Sequence, residues 1–272
     1  MIDEQELLRW RQAYREEGDP SSLTGYPEPE LPWSWRTMVE NLAPMADRVL
    51  DLGTGGGGVL ATLVDVLPEG TVATEGRRTN LPVARERLTP LGIEVLEHDS
   101  ADPGARIPVP DASFGLVINR HQPYRPAEVA RVLGPAGTFL TQQVGEDDVH
   151  EIREALGLAE PPPGRNLENA VHELTAAGFT ISRSAAYHDD HEFGDVPTLL
   201  RYLRRMTWDD PAGPALAEHR AELEELHERM QRGPFTATVS RYVVLARTPD
   251  APDTGRTDFA ALLDDELEVP RV

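Results

Sequence analysis

The chain has 272 residues and carries 47 acidic against 26 basic side chains, a formal net charge of −21. That balance argues against a polyanionic partner, because nucleic-acid binders present a basic stripe that releases counterions. With no cysteine it has no disulfide, thiol nucleophile or thiolate metal site.

Every base is arginine, since the sequence contains no lysine. No apolar run reaches the ~18 residues that a membrane span needs. The acidic start, Met1-Ile-Asp-Glu-Gln-Glu, lacks the apolar region of a signal peptide. The expectation is a soluble cytoplasmic protein, long enough to bury a full core.

In chain order, 3–17 reads as a helix, with Leu7, Leu8, Trp10 and Tyr14 at helical spacing. Residues 18–32 are turn-rich and read as loop. Trp33, Trp35, Met38, Val39 and Leu42 form a second helical pattern ending near Pro44. From 48 to 144 short apolar strands (48–52, 71–75, 93–97, 114–119, 137–144) alternate with helices at 58–67, 80–89 and 126–134, and with a short irregular piece near 101–106. Repeated strand–helix–strand units make a parallel sheet covered on both faces. Gly134-Pro-Ala-Gly137 reads as a tight helix-to-strand turn. Helices follow at 146–156 and 166–177, then a strand at 179–187. Helical patterns at 196–206 and 214–231 precede the longest strand signal, 236–247. The tail from 249 is acidic and reads as mobile, with Phe259, Leu262, Leu263 and Leu267 able to form a short docking helix.

The sheet is organised around Asp51-Leu-Gly-Thr-Gly-Gly-Gly-Gly58. A strand that breaks into glycines and restarts as a helix brings bare backbone against a ligand at the carboxyl end of a parallel sheet. Read as Gly53-x-Gly55-x-x-Gly58, it fits a dinucleotide fingerprint, with Glu75 as the acid about 20 residues on. Read as Asp51-x-Gly53-x-Gly55-x-Gly57, it resembles the S-adenosylmethionine loop of the class I methyltransferases. The acid separates the two. A carboxylate ahead of the first glycine suits a cationic amino group and repels phosphates. Glu75, ending the second strand, can accept both ribose hydroxyls under either reading.

The resemblance becomes specific at His98-Asp99-Ser100, followed by Ile107-Pro-Val-Pro-Asp-Ala-Ser-Phe114 and Glu128-Val-Ala-Arg-Val-Leu-Gly-Pro-Ala-Gly137. These are similar to motifs of the methyltransferase-11-like branch, with Gly134 and Ala136 replacing its lysine and first glycine. The likeness covers 45–145 by motif and 179–247 by topology. It implies a Rossmann-like, doubly wound, seven-stranded α/β sheet with the last strand antiparallel. It also implies S-adenosyl-L-methionine as cofactor, held by Asp51, Gly53, Gly55, Gly57, Glu75, Asp99, Ser100 and Asn119, with S-adenosyl-L-homocysteine as product. The expected organisation is an N-terminal helical segment (1–44), a cofactor-binding core (45–187), a helical insertion (188–235), a final core strand (236–248) and the tail (249–272).

Methyl transfer is an in-line displacement governed by positioning, with a base where the acceptor carries a proton. His121, just past the fourth strand, is the candidate base, or else it packs or hydrogen-bonds the cofactor. Tyr124, Trp33, Arg201 (with Arg204 and Arg205) and one of Gln142 and Gln143, with Gln143 preferred, are candidate acceptor contacts. His188-Asp-Asp-His191 reads as an acidic loop, and no metal is expected. The expected acceptor is a small molecule, with RNA, protein or a catalytically silent cofactor-binding role as alternatives. A nicotinamide oxidoreductase using a Tyr-x-x-x-Lys pair is closed by the absence of lysine.

Overall fold

The computed structural model describes residues 4–15, 30–206 and 219–249. The sheet has seven strands: β1 (Val49–Leu52), β2 (Val72–Glu75), β3 (Glu94–Glu97), β4 (Phe114–Arg120), β5 (Leu133–Val144), β6 (Thr180–Phe193) and β7 (Phe235–Arg247), in the order β3-β2-β1-β4-β5-β7-β6. The pairs β1–β2, β2–β3, β1–β4 and β4–β5 are parallel, and β7 runs antiparallel to β5. The order reverses between β1 and β4, which in open parallel sheets is where ligands bind.

The helices are α1 (Glu4–Arg15), α2 (Trp35–Leu42), α3 (Gly58–Ala61), α4 (Asn80–Leu88), α5 (Pro126–Val132), α6 (His150–Leu156), α7 (Leu167–Ala176), α8 (Val196–Met206) and α9 (Arg220–Met230). Two compact units can be drawn. One contains the N-terminal stretch, 146–163 and 188–240; the other contains 31–145, 164–187 and 241–249 of the described residues. The first unit is built on Trp10, Phe193, Tyr202, Leu226 and Phe235. In it the buried Asp148 accepts from the Tyr202 hydroxyl at 2.6 Å and the Ser240 N–H at 2.9 Å. The second holds two core clusters, sorted by the period-two alternation of the strands. Val49, Leu116, Ile118 and Leu140 pack with α2 and α4, whereas Leu50, Val117 and Phe139 pack with α5 and α7.

Three local departures from expectation have physical causes. The helix expected over 58–67 is one turn, α3, followed by a 3₁₀ turn at Val64–Val66. The Thr62 hydroxyl donates to Val59 O at 2.7 Å and Arg36 donates to Thr62 O at 2.9 Å, so side chains take the carbonyls that a longer helix would use. Gly134–Gly137 is a bulge within β5 rather than a clean turn. The register passes from Phe114↔Leu133 to Leu116↔Thr138, Ala136 adopts φ 58°, and the Gly137 N–H donates to the Thr248 hydroxyl at 2.9 Å. β6 continues through His188–His191, which were read as loop. On a strand, alternate residues face opposite sides, so that run cannot converge on one ion. Among the described residues no cluster of three or more potential metal ligands exists. The docking helix in the tail and the first part of the 214–231 pattern lie outside the described residues.

A further feature of the sequence, Glu128-x-x-Arg131, turns out to be a latch. Arg131 donates to Val109 O at 3.0 Å, Ile107 O at 2.8 Å, Glu128 and Asp111, while Glu128 accepts the Ile107 N–H at 3.0 Å. It ties the 107–113 loop onto α5.

Candidate functional site

The glycine loop leaves β1 and is held from below. The Gly53 N–H donates to the Thr74 hydroxyl at 3.1 Å and the Thr54 N–H to Thr74 O at 2.8 Å. Gly53, Gly55 and Gly57 have φ of 85°, 61° and 76°, the left-handed region that disfavours side chains. Their surroundings differ. A β-carbon on Gly53 would collide with the Gln122 side chain and one on Gly57 would lie 2.8 Å from Leu88, but one on Gly55 would meet nothing within 4 Å among the described residues. Gly55 therefore borders open space, the cradle that a ligand would fill.

Two carboxyls stand at this loop. Asp51 is 7% exposed and Glu75 4% exposed. No ion pair holds Asp51 among the described residues. Burial pushes its carboxyl up to about 7 and the Glu75 charge adds to this, while the Thr54 hydroxyl opposes it. Burial also raises Glu75, against the pull of the backbone N–H groups of Arg77, Gly55 and Gly76; the Arg77 N–H lies 2.6 Å from its Oε1. A buried, unpaired carboxyl beside a second one is costly, and a ligand bringing an ammonium and hydroxyl donors relieves that cost.

The third strand exit is packed at backbone distance. A β-carbon on Gly76 would lie 2.6 Å from Asp99 Cα and 2.8 Å from His98 O. Gly76→Ala should therefore push the β2 and β3 exits apart and lower stability by about 1–3 kcal/mol, measurable as a denaturation midpoint shift. Asp99 is exposed, with one oxygen accepting from the Ala101 N–H at 3.0 Å. The buried Ser100 hydroxyl has no hydrogen-bond partner among the described residues. An orphaned buried hydroxyl costs about 1–3 kcal/mol until something pairs with it. Cradle, carboxyls and orphan hydroxyl together could hold a ligand that brings an ammonium to Asp51, hydroxyls to Glu75 and a polar group to Ser100.

The other candidates separate by strand parity. Asn119 was expected to touch cofactor, but its side chain is taken up by the protein. Nδ2 donates to Leu52 O at 2.8 Å, and Oδ1 accepts from the Thr141 hydroxyl at 2.8 Å and from Gln143 at 2.6 Å. It pins the end of β1 instead. Gln143, preferred over Gln142 as an acceptor contact, is engaged in the same network, also donating to Gln122 O at 3.0 Å. Tyr124 packs edge-on against Phe139, ring centroids 4.9 Å apart, and burial raises its hydroxyl.

On the opposite face, Trp33 is core rather than pocket wall, 5% exposed, and its Nε1 donates to Gln142 Oε1 at 2.9 Å. Gln142 Nε2 lies 3.1 Å from His121 Nε2, and Arg120 Cζ lies 6.0 Å from the Trp35 ring centroid. His121 has φ 62° and its N–H donates to Gln142 O at 2.8 Å. So the residue that sequence reasoning passed over is Gln142. Alternation placed 142 and 143 on opposite faces, but could not say which face holds the tryptophans. Arg201 lies on α8 of the other unit, and the side chains of Arg204 and Arg205 fall outside the described residues.

Known proteins now bear on this arrangement. No family model matches the chain. A curated relative, the 23S rRNA (guanine(748)-N(1))-methyltransferase of Streptomyces fradiae, is 27% identical over 186 residues. The match takes in 67% of this chain and 63% of the relative's length. A presumptive methyltransferase from Bacillus halodurans C-125 superposes with TM-score 0.56 at 19% identity, over 80% of this chain and 100% of that one. The [4+2]-cyclase SpnF superposes with TM-score 0.52 at 17% identity, over 90% and 93%. The chain therefore has the class I S-adenosylmethionine-dependent methyltransferase fold and is similar in sequence to an rRNA methyltransferase.

Proposed function

We propose that the protein transfers a methyl group from S-adenosylmethionine to a small-molecule acceptor. The observation that carries this reading is the buried Asp51 carboxyl, without a cation among the described residues, at the mouth of the glycine loop. The cofactor supplies an activated methyl on a sulfonium. The chain's own part is to neutralise the ligand's ammonium at Asp51, to accept its ribose hydroxyls at Glu75 and to hold the loop open through Gly55. Positioning of this kind supplies most of the acceleration in a simple displacement.

The charge of −21, with no lysine, favours a small acceptor over a polyanion. The curated relative's action on rRNA favours a second reading, methylation of an RNA base. Incubation of the protein with methyl-labelled cofactor and a cell extract separates them. Label in the small-molecule fraction supports the proposal. Label confined to RNA and suppressed steeply by salt moves the assignment to the second reading. Label in neither fraction, with cofactor bound, leaves cofactor binding without transfer as the function.

A further inference from the structure

Sequence alone offers His121 either as a candidate base or as a residue that packs or hydrogen-bonds the cofactor. The hydrogen bonds around it point elsewhere. An indole Nε1–H only donates, so the atom of Gln142 facing Trp33 at 2.9 Å is the carbonyl Oε1. The atom facing His121 is then the amide NH₂, at 3.1 Å from Nε2. An NH₂ only donates, so His121 Nε2 is the acceptor, and the ring proton sits on Nδ1. A doubly protonated ring would turn an N–H toward that NH₂. The backbone reinforces the arrangement, because the His121 N–H donates to Gln142 O at 2.8 Å and the left-handed φ of 62° is kept at a non-glycine residue.

We infer that the buried Trp33–Gln142 pair holds His121 as the neutral Nδ1–H tautomer with its Nε2 lone pair occupied, making Gln142 a positioning residue and removing His121 Nε2 as the base for methyl transfer. This rests on the proposed function only in its consequence for the acceptor. An acceptor that needs no base at His121 Nε2 is one that presents its lone pair at neutral pH, as a heteroaromatic nitrogen or a weakly basic amine does. That lone pair forms the new bond to the methyl carbon while the carbon–sulfur bond breaks, its electron pair staying on sulfur. Where the product is a cation bearing N–H, that proton leaves to water.

The test reads the ring directly. In protein labelled with ¹⁵N-histidine, with His121 assigned by its loss in His121→Asn, the Nε2 resonance at pH 7 should be of the unprotonated type and the Nδ1 resonance of the protonated type. A protonated Nε2 in the wild type overturns the inference. Gln142→Glu replaces the donor with an acceptor and should convert Nε2 to the protonated type. Trp33→Phe frees the amide to flip and should give a mixture of tautomers. An unprotonated Nε2 unchanged in both folded variants also overturns it; should Gln142→Glu fail to fold, Trp33→Phe decides. Calorimetric binding of S-adenosylhomocysteine on the same sample keeps the two claims apart. Binding with the wrong tautomer sinks this inference alone, and the right tautomer without binding sinks the proposed function alone.

Discussion

Asp51→Asn should make the ligand-free protein more stable at pH 8 and, at the same time, weaken binding of S-adenosylhomocysteine by tenfold or more. The sign follows from the raised carboxyl, at about 7 in the fold against an ordinary 3.8. Between those values the folded chain holds a proton that the unfolded chain has released, so stability falls as pH rises through that window. Above it, the wild type carries a buried charge that asparagine removes, a gain on the order of a few kcal/mol. Below pH 4 the two proteins should match. The binding loss has the opposite origin. An ionised Asp51 facing an ammonium makes a charge-assisted contact, and its removal costs about 1.4 kcal/mol or more. Chemical denaturation at pH 4, 6 and 8 with parallel calorimetry checks both. A variant that loses stability at pH 8 and binds normally would show that Asp51 serves the fold and not a ligand.

The second large effect is expected at Arg131→Met, which should cost about 2–4 kcal/mol. The change strands Glu128 and leaves the Val109 and Ile107 carbonyls without their donor. Arg131 holds the carboxyls of Glu128 and Asp111 below their ordinary values. Depressed carboxyls stabilise fully above their unfolded values and lose the contribution as pH falls through the folded ones. The penalty of Arg131→Met should therefore be full at pH 7 and shrink in part below about pH 4, where wild type loses the ion pairs but keeps the two carbonyl bonds. Denaturation midpoints across that range measure it; a penalty independent of pH would point to packing rather than to the ion pairs.

How far the sequence was legible follows the range of the interactions concerned. The strand–glycine–helix unit is local chemistry, so β1, the glycine loop and the acids at the ends of β1 to β3 stand where the residues placed them. Helix length at 58–67 was less legible, because the threonine and Arg36 contacts that stop α3 depend on a side chain 26 residues away. Gln142 was harder still. Its partner Trp33 is 109 residues distant, and only the packed sheet shows which face α2 covers. Asn119 illustrates the limit of motif transfer: the position at the end of β4 is as expected, yet its amide holds backbone. Glu128 and Arg131 show the reverse, since a run quoted for its resemblance has a plain mechanical role in holding a loop.

The most direct test of the account is calorimetry of the full chain with S-adenosylhomocysteine and, separately, with NAD, between pH 6 and 8. Single-site binding of the first and none of the second is expected. Affinity should weaken by up to tenfold per pH unit below about 7, with a proton released on binding as Asp51 ionises. Binding of NAD, or a folded protein that takes up no S-adenosylhomocysteine at pH 8, would contradict it.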